Sequence, residues 1–482
     1  MSKKIFFSKV LEMTVAMVVF NISNLCYNIF ISNRLGAETT GLFHLVGAVY
    51  SIGISICVSG MSLTVTRLLS DMPRQKGLEC SDSIVGKCLK ISLVTSLFAT
   101  FLMQGLSGYI ARVFLGKDGA EKYIKTLSLC LTAVSVSSVL GGYFTAFGKV
   151  GAMCAGRIMS EMTSWLCTFA FLKSSDDECM AIVKATMLSA FAECASDVFF
   201  WRMSRKNQIR KKSDVTYAQV VRLCAPLALG SYLRTGLGSA ENMLMPKRLS
   251  LFSSGSLAKY GVLKGMTMPV LYFPSVLTSA FVSLLVPEIA RRFSQRCKKS
   301  VEYVSKLSLE SIIKFGVLVS FIFLVWSPEI SERIFKRADA GEYMRLLSFL
   351  PLFMYVDSVT DAILKGINEQ VFSLKINTVD ACLRVVLVIF ALPVFGIKAY
   401  IAILYISEIL NLSMSFWRLK KTTALRFSFG RAALVAMISP VCGLLVVYLL
   451  KPQNLASQIL TFTAIYFGIS EVLTVILKRK HS

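Results

Sequence analysis

Histidine is nearly missing from this chain: His44 and His481 are the only two among 482 residues. The 13 cysteines include no CxxC pair and no Cys/His cluster at metal-ligand spacing. No zinc site and no disulfide framework are therefore expected, and thiols scattered through apolar runs act as small hydrophobes. There is no GxxxxGK[ST] loop to cradle the phosphates of ATP, no GxSxG elbow and no HExxH pair. Without these constellations nothing points to an enzyme or a cofactor. Acidic residues are also scarce, 28 against 53 Lys and Arg, giving a formal net charge of +25. That excess does not mark a nucleic-acid module. The basic patches near 202–212, 291–299 and 418–431 alternate with apolar runs.

What fills the chain is hydrocarbon. Hydrophobic residues make up 55%, mean hydropathy is +0.63 and charged residues are only 17%, against about 25% charged in an ordinary soluble domain. The sequence reads as an all-α polytopic membrane protein. With about 17–25 residues needed per span, fourteen transmembrane helices are expected: 8–33, 41–68, 87–114, 123–147, 152–173, 180–203, 217–243, 258–290, 301–327, 343–366, 371–394, 397–418, 428–450 and 455–477. The first has a basic start like a signal peptide, but its apolar run is too long and lacks a small-x-small cleavage site, so it is read as retained.

Lys and Arg in the loops on the side of the N-terminus outnumber those opposite by about two to one, which places both termini in the cytoplasm of a cell membrane. The basic linker 204–216 is the longest polar break near the middle. It divides the chain into a six-helix lobe (1–203), a second six-helix lobe (217–421), and two additional helices with a basic tail (422–482). Six helices per lobe give a parallel repeat, with a site expected between the halves near the midplane.

Charge inside apolar helices marks the candidate site, because a charge near the bilayer centre costs at least about 2.5–3.5 kcal/mol and normally faces a wet interior. Arg234, Gly238 and Glu241 lie at i, i+4 and i+7, on one helix face. A guanidinium matches phosphate oxygens; the competing account is a structural ion pair. Glu241 is two turns from Arg234, so its expected partner is Lys264 on the next helix or a coupling cation. Lys264 sits in GVLKG, where close packing at small residues or snorkelling would also explain it. Pro269 and Pro274 each remove a backbone donor and should kink that helix, making it a candidate gate. Asn21, Asn24 and Asn28 form one polar stripe, suited to interhelical bonding or to sugars. Arg67 closes its helix near the interface, where anionic head groups alone account for it. Asp357, Asp361 and Lys365, and Asp380 with Arg384, read as i,i+4 structural pairs. His44 reads as packing.

Two segments carry a resemblance to a known family: RLGAETTGLFHLVGAVYSIGISICVSGMSLTVTRLLSD and AENMLMPKRLSLFSSGSLAKYGVLKGMTMPVLYFPSVLTSAFVSLLVPEIARR. They are similar to the stage V sporulation protein B type polysaccharide transporters of the multidrug/oligosaccharidyl-lipid/polysaccharide exporter superfamily. The resemblance implies a V of two six-helix lobes around a cavity lined by the first, second, seventh and eighth helices. Here those would contribute Asn21, Asn24, Asn28, Arg67, Arg234, Glu241 and Lys264 as substrate-binding residues. It also implies a flippase for a lipid-linked oligosaccharide, such as an undecaprenyl-pyrophosphate precursor of peptidoglycan, surface polysaccharide or spore cell wall. Partners would be the lipid-linked glycan, membrane lipids, a coupling cation, and glycosyltransferases or cell-wall synthases. The first helix departs from related lipid II flippases by carrying amides where they carry arginines. Two other functions stay open: a cation-coupled multidrug exporter of the same superfamily, and a non-transporting membrane scaffold of envelope or spore assembly.

Overall fold

A computed structural model describes residues 3–205, 211, 213–423, 429–450, 452 and 454–479. Lys206, Arg210 and Lys212 of the expected linker, and Lys480 of the tail, lie outside the described residues. Every regular element among the described residues is helical. In chain order they are α1 (Lys3–Val58), α2 (Met61–Ser70), α3 (Arg74–Ile110), α4 (Glu121–Ser128), α5 (Leu131–Phe147), α6 (Val150–Ser174), α7 (Glu178–Arg205), α8 (Tyr217–Leu249), α9 (Ser256–Gly261), α10 (Met268–Tyr272), α11 (Ser275–Ser294), α12 (Lys298–Phe335), α13 (Ala338–Leu346), α14 (Leu350–Gly366), α15 (Gln370–Phe395), α16 (Ile397–Thr423), α17 (Phe429–Leu450) and α18 (Leu455–Arg479). Two π-helical turns interrupt them, Ala111–Leu115 after α3 and Val262–Thr267 before α10.

This is a multi-pass membrane protein. Among the described residues eight helices are long and apolar enough to cross a membrane, or ten if each of two bent pairs counts as one span. Large apolar side chains also point outward, Phe101 at 79% exposure and Phe390 at 72%. Acyl chains accept such surfaces and water does not. The fourteen expected stretches fall on helices, but the apolar criterion does not recover that number. The first two merge into Val18–Ser70, a run of 53 residues. The gap 34–40 between the first two expected spans is not a loop: Gly36 alone leaves the helical region, at φ 71° and ψ 174°, and divides α1 into two arms. Only glycine adopts that conformation cheaply. Gly60, at φ 75°, then separates α1 from α2. α6 and α8 fall outside the criterion too, and α8 carries Arg222, Arg234, Glu241, Lys247 and Arg248 within 33 residues.

The chain forms two compact units, Met1–Gly261 and Val262–Ser482. In the first, the initial arm of α1 packs on α6 through Tyr27, Phe30, Trp165 and Phe169, with Tyr27 and Trp165 ring centroids 5.2 Å apart. Val65, Ile84, Val85, Leu140, Tyr143 and Phe144 from α2, α3 and α5 make an interior core that also takes in Val215 and Val220. α8 begins in a capping box: the Gln219 N–H donates to the Thr216 hydroxyl, and the Thr216 N–H to the Gln219 side chain at 2.9 Å. Two orphan helix donors are thereby satisfied. Lys87 fixes this entry by donating to the Ser213 carbonyl at 3.2 Å and to that of Val215.

In the second unit α14 is central, touching α11, α12, α15 and α16. Its close approaches depend on missing side chains. A Cβ on Gly366 would stand 2.6 Å from Ile289 Cγ2, and one on Gly316 would stand 2.8 Å from Leu352 Cδ1. The last helix α18 is fixed to α12 by Lys314–Glu471 at 2.9 Å, by Trp326 Nε1 donating to Gln458 at 2.9 Å, and by Tyr466 donating to the Lys314 carbonyl at 2.7 Å. The two units share an internal order. A long helix, a broken helix and a hairpin follow one another as α3, α4/α5 and α6/α7, and again as α12, α13/α14 and α15/α16.

Candidate functional site

Arg234 lies in the middle of α8, with Gly230 and Gly238 one turn to either side on its face. Its side chain is exposed, and it makes no hydrogen bond or ion pair with a described residue. A guanidinium without a carboxylate partner, held on a helix of a membrane bundle, is available to an anion from outside the chain. Glu241, two turns on, is buried at 5% exposure. Other residues of α8 pack against the second arm of α1.

That packing is made by small residues. The Ser51 and Ser239 hydroxyls are 3.0 Å apart, and Ser239 donates to the Ala48 carbonyl at 2.9 Å. Ser59 donates to Ser231 at 2.9 Å, Tyr232 to the Ile56 carbonyl at 3.2 Å, and the Cys224 thiol to the Ser59 carbonyl. α9 approaches the same arm still more closely: a Cβ on Gly261 would come within 1.9 Å of the Ala37 carbonyl oxygen, and one on Gly41 within 2.4 Å of that of Leu257. Hydroxyl bonds of this kind contribute only about 0.6 kcal/mol each in membranes. The contact is close but can be undone.

The asparagine stripe is formed as expected on α1. Asn28 donates from one amide nitrogen to the Asn24 carbonyl at 2.9 Å and the Asn24 side chain at 2.8 Å. Ser23 and Tyr27, on another side of the helix, bond Glu161 and Thr168 of α6 at 3.2 and 2.7 Å. Asn21, Asn24 and Asn28 are thus left off that packed face. Arg67, near the end of α2, lies 3.8 Å from Asp71 with both side chains exposed, a weak surface pair.

Lys264 belongs to the second unit and lies in the π-helical turn Val262–Thr267. Its ammonium is 5.2 Å from the Tyr400 ring centroid, a cation–π contact. Pro269 has no N–H for the Gly265 carbonyl, and widening of the preceding turn follows from that loss. Pro274 caps α11, and the chain bends by 53° between Tyr272 and Ser275. The kink expected from these two prolines is present; the lysine between Gly261 and Gly265 sits in a wide turn that the GxxxG spacing does not foretell.

The same-helix pairs on α14 and α15 are part of a larger polar cluster. Asp361 pairs with Lys365 at 2.6 Å and accepts from the Ser373 hydroxyl. Asp380 lies 3.4 Å from Arg384 and accepts from the Ser407 hydroxyl. Asn411 of α16 donates to Asp357 at 3.2 Å and to Asn377 at 2.9 Å. The other Asp357 oxygen is buried with no hydrogen bond among the described residues. Glu408 lies on the same helix as Ser407 and Asn411. In the first unit, Asp197 of α7 is buried at 6% exposure, and the missing side chain of Gly156 makes room for its carboxylate. Among the described residues no group of three or more His, Cys, Asp and Glu is arranged to hold a metal ion. Asn377, Glu408, Asn411, Glu161 and Asp197 were not singled out from the sequence, although a carboxylate in an apolar helix is itself the signal.

The chain is similar to stage V sporulation protein B of Bacillus subtilis (strain 168), 20% identical over 462 residues that cover 92% of this chain and 89% of that one. Residues 294–450 match the family described as polysaccharide biosynthesis protein. Among solved structures, a lipid II flippase MurJ in an inward closed conformation superposes with a TM-score of 0.78 at 12% identity, covering 97% of this chain and 99% of that one. An inward-facing multidrug resistance MATE family transporter of the MOP superfamily gives 0.70 at 14% identity, covering 85% and 99%. The chain shares the fold of these transporters. Of the features above, the α14–α16 polar cluster falls inside the family match at 294–450, whereas Arg234 and the serine contacts precede it. The two sets of residues thus have separate places in the sequence.

Proposed function

We propose that the chain moves a lipid-linked oligosaccharide, carried on a polyprenyl diphosphate of the undecaprenyl kind, across a cell membrane by alternating access. The observation that carries this reading is Arg234: an exposed guanidinium on a membrane helix, without a carboxylate partner among the described residues. A diphosphate offers such a group charge-assisted, paired hydrogen bonds. Likeness to stage V sporulation protein B and to a lipid II flippase supports the substrate class. Asn21, Asn24, Asn28 and Arg67 would contact the sugar and the head group, Glu241 and Lys264 would complete the substrate-binding set, and Pro269 and Pro274 would serve the gate. Division into lobes 1–203 and 217–421 with a final pair in 422–482, fourteen spans and cytoplasmic termini are parts of the same proposal. Glycosyltransferases or cell-wall synthases would supply or consume the substrate. The test is reconstitution of the full chain in liposomes with a polyprenyl-diphosphate glycan, reading access of a membrane-impermeant reagent to the sugar.

A second reading is favoured by the α14–α16 cluster. Asp357, Asp361, Asp380 and Glu408 are four carboxylates set against two cations, Lys365 and Arg384. Such an excess inside a bundle suits the binding of a coupling cation, as a multidrug exporter of this superfamily would require. Drug susceptibility of an overproducing strain separates this reading from the first.

A further inference from the structure

We propose that the end of α3 and the end of α8 form a pocket for a phosphorylated amphiphile: a phosphate held by Arg112, Lys117 and Lys247, with an apolar portion against Phe114, Pro246 and Leu257. The pocket encloses about 490 Å³ and these residues line it. That is within the range of small-molecule sites, and no carboxylate is part of its lining.

The chain builds this place deliberately. After Ile110 the helix widens into the π turn Ala111–Leu115, and Gly116 at φ 66° ends it with its N–H on the Ala111 carbonyl. This carries Arg112, Phe114 and Lys117 around one rim. Lys247, in the last turn of α8, donates to the Val113 carbonyl at 3.2 Å. One ammonium proton is used there and two remain. Lys117 pairs with Glu38 of α1 at 2.6 Å, both partly exposed. Such a pair is weak and yields to a stronger anion. Arg112 is itself engaged, its charge acting on the partly exposed Glu121. An anionic head group that competes with these carboxylates gains charge-assisted bonds from three cations, while the apolar wall discriminates an amphiphile from a free ion.

The location fits a membrane ligand. Asp82, near the other end of α3, pairs with Arg205 at 2.7 Å close to the central linker. Arg112 lies thirty residues further along, about 45 Å at 1.5 Å per residue. A hydrocarbon layer is about 30 Å thick. The pocket therefore opens at the membrane face opposite the linker, at head-group depth. It is distinct from Arg234 and from the α14–α16 cluster, and it does not depend on which substrate is flipped.

The experiment uses the purified full-length protein in detergent, following tryptophan fluorescence on heating. It compares dihexanoyl phosphatidic acid, dihexanoyl phosphatidylcholine and inorganic phosphate. Phosphatidic acid is expected to raise the unfolding temperature at lower concentration than either control. The triple variant R112Q/K117Q/K247Q should weaken that response at least about tenfold, and Glu38→Gln, by releasing Lys117, should strengthen it. Should the triple variant fail to fold, Lys117→Gln alone, at an exposed position, and Glu38→Gln must still move the response in opposite directions. An unchanged response in these variants overturns the site. Equal potency of phosphatidylcholine overturns recognition of charge, and equal potency of inorganic phosphate overturns the apolar half of the assignment.

Discussion

Ser51 of α1 and Ser239 of α8 place their hydroxyls 3.0 Å apart, and both reach the carbonyl of Ala48. They are 188 residues apart in sequence, so the bond joins segments that only the folded bundle brings together. A double-mutant cycle with Ser51→Ala and Ser239→Ala should give a coupling of about 0.6 kcal/mol and not above about 1.7 kcal/mol, the range for side-chain bonds within membranes. Ser239→Leu adds volume at a buried position and should destabilise by about 1–3 kcal/mol. Equilibrium unfolding in lipid or mixed micelles measures both.

Close approach of backbones makes a sharper prediction. Gly261→Ala puts a methyl 1.9 Å from the Ala37 carbonyl oxygen, a backbone atom that no rotamer change can move aside. Gly47→Ala meets nothing within 4 Å. The first substitution should destabilise by about 2 kcal/mol or more and the second by less than about 0.5 kcal/mol. Thermal unfolding of the two purified variants against the parent decides it.

These contacts also mark where the sequence stops being readable. Arg234, Gly238 and Glu241 were legible because helical spacing puts them on one face, and the asparagine stripe and the proline bend were legible for the same local reason. The serine contact was not. Small residues three or four apart occur throughout a membrane chain, and nothing local says which stripe meets which. The α14–α16 cluster was half legible: Asp361–Lys365 and Asp380–Arg384 are neighbours on their own helices, whereas Asn411 reaches Asp357 and Asn377 from a different helix. Gly36 shows the reverse failure, since a polar, glycine-containing stretch between two expected spans is helical on both sides of one residue. Period-based reading finds faces and breaks; pairing of faces is tertiary.

Outside the spans, Asp177 predicts an acid limit. It caps α7 by accepting the Met180 N–H at 3.0 Å, and it also accepts from Tyr123 and Lys122. Burial alone would raise its carboxyl, but the bonds from Lys122, Met180 and Tyr123 outweigh that and hold it below the usual carboxylate range. A depressed group stabilises the fold above the ordinary value near 4, and that contribution is lost as pH falls through the folded value. Unfolding temperature should therefore drop below about pH 4, and Asp177→Asn should be less stable at pH 7 with a shallower acid slope. Equal acid slopes in parent and variant would remove Asp177 from the explanation.

The polar cluster of the second unit predicts a separation of function. If Asp357 helps to bind a coupling cation, Asp357→Asn should keep the fold, since Asn411 can still bond the remaining oxygen. Transport should then lose its dependence on an imposed ion gradient. Liposomes loaded with and without a sodium or proton gradient measure this. Unaltered gradient dependence would leave the cluster a structural role only.

The most direct measurement of the central claim is flipping of a polyprenyl-diphosphate glycan by liposome-reconstituted Arg234→Ala, with Arg234→Lys beside it. The account predicts at least about a hundredfold loss in the alanine variant, with partial recovery in the lysine variant, because one charge is restored without the paired fork. Both proteins should insert and unfold like the parent, since Arg234 bonds no described residue. Full flipping activity in Arg234→Ala would contradict the account.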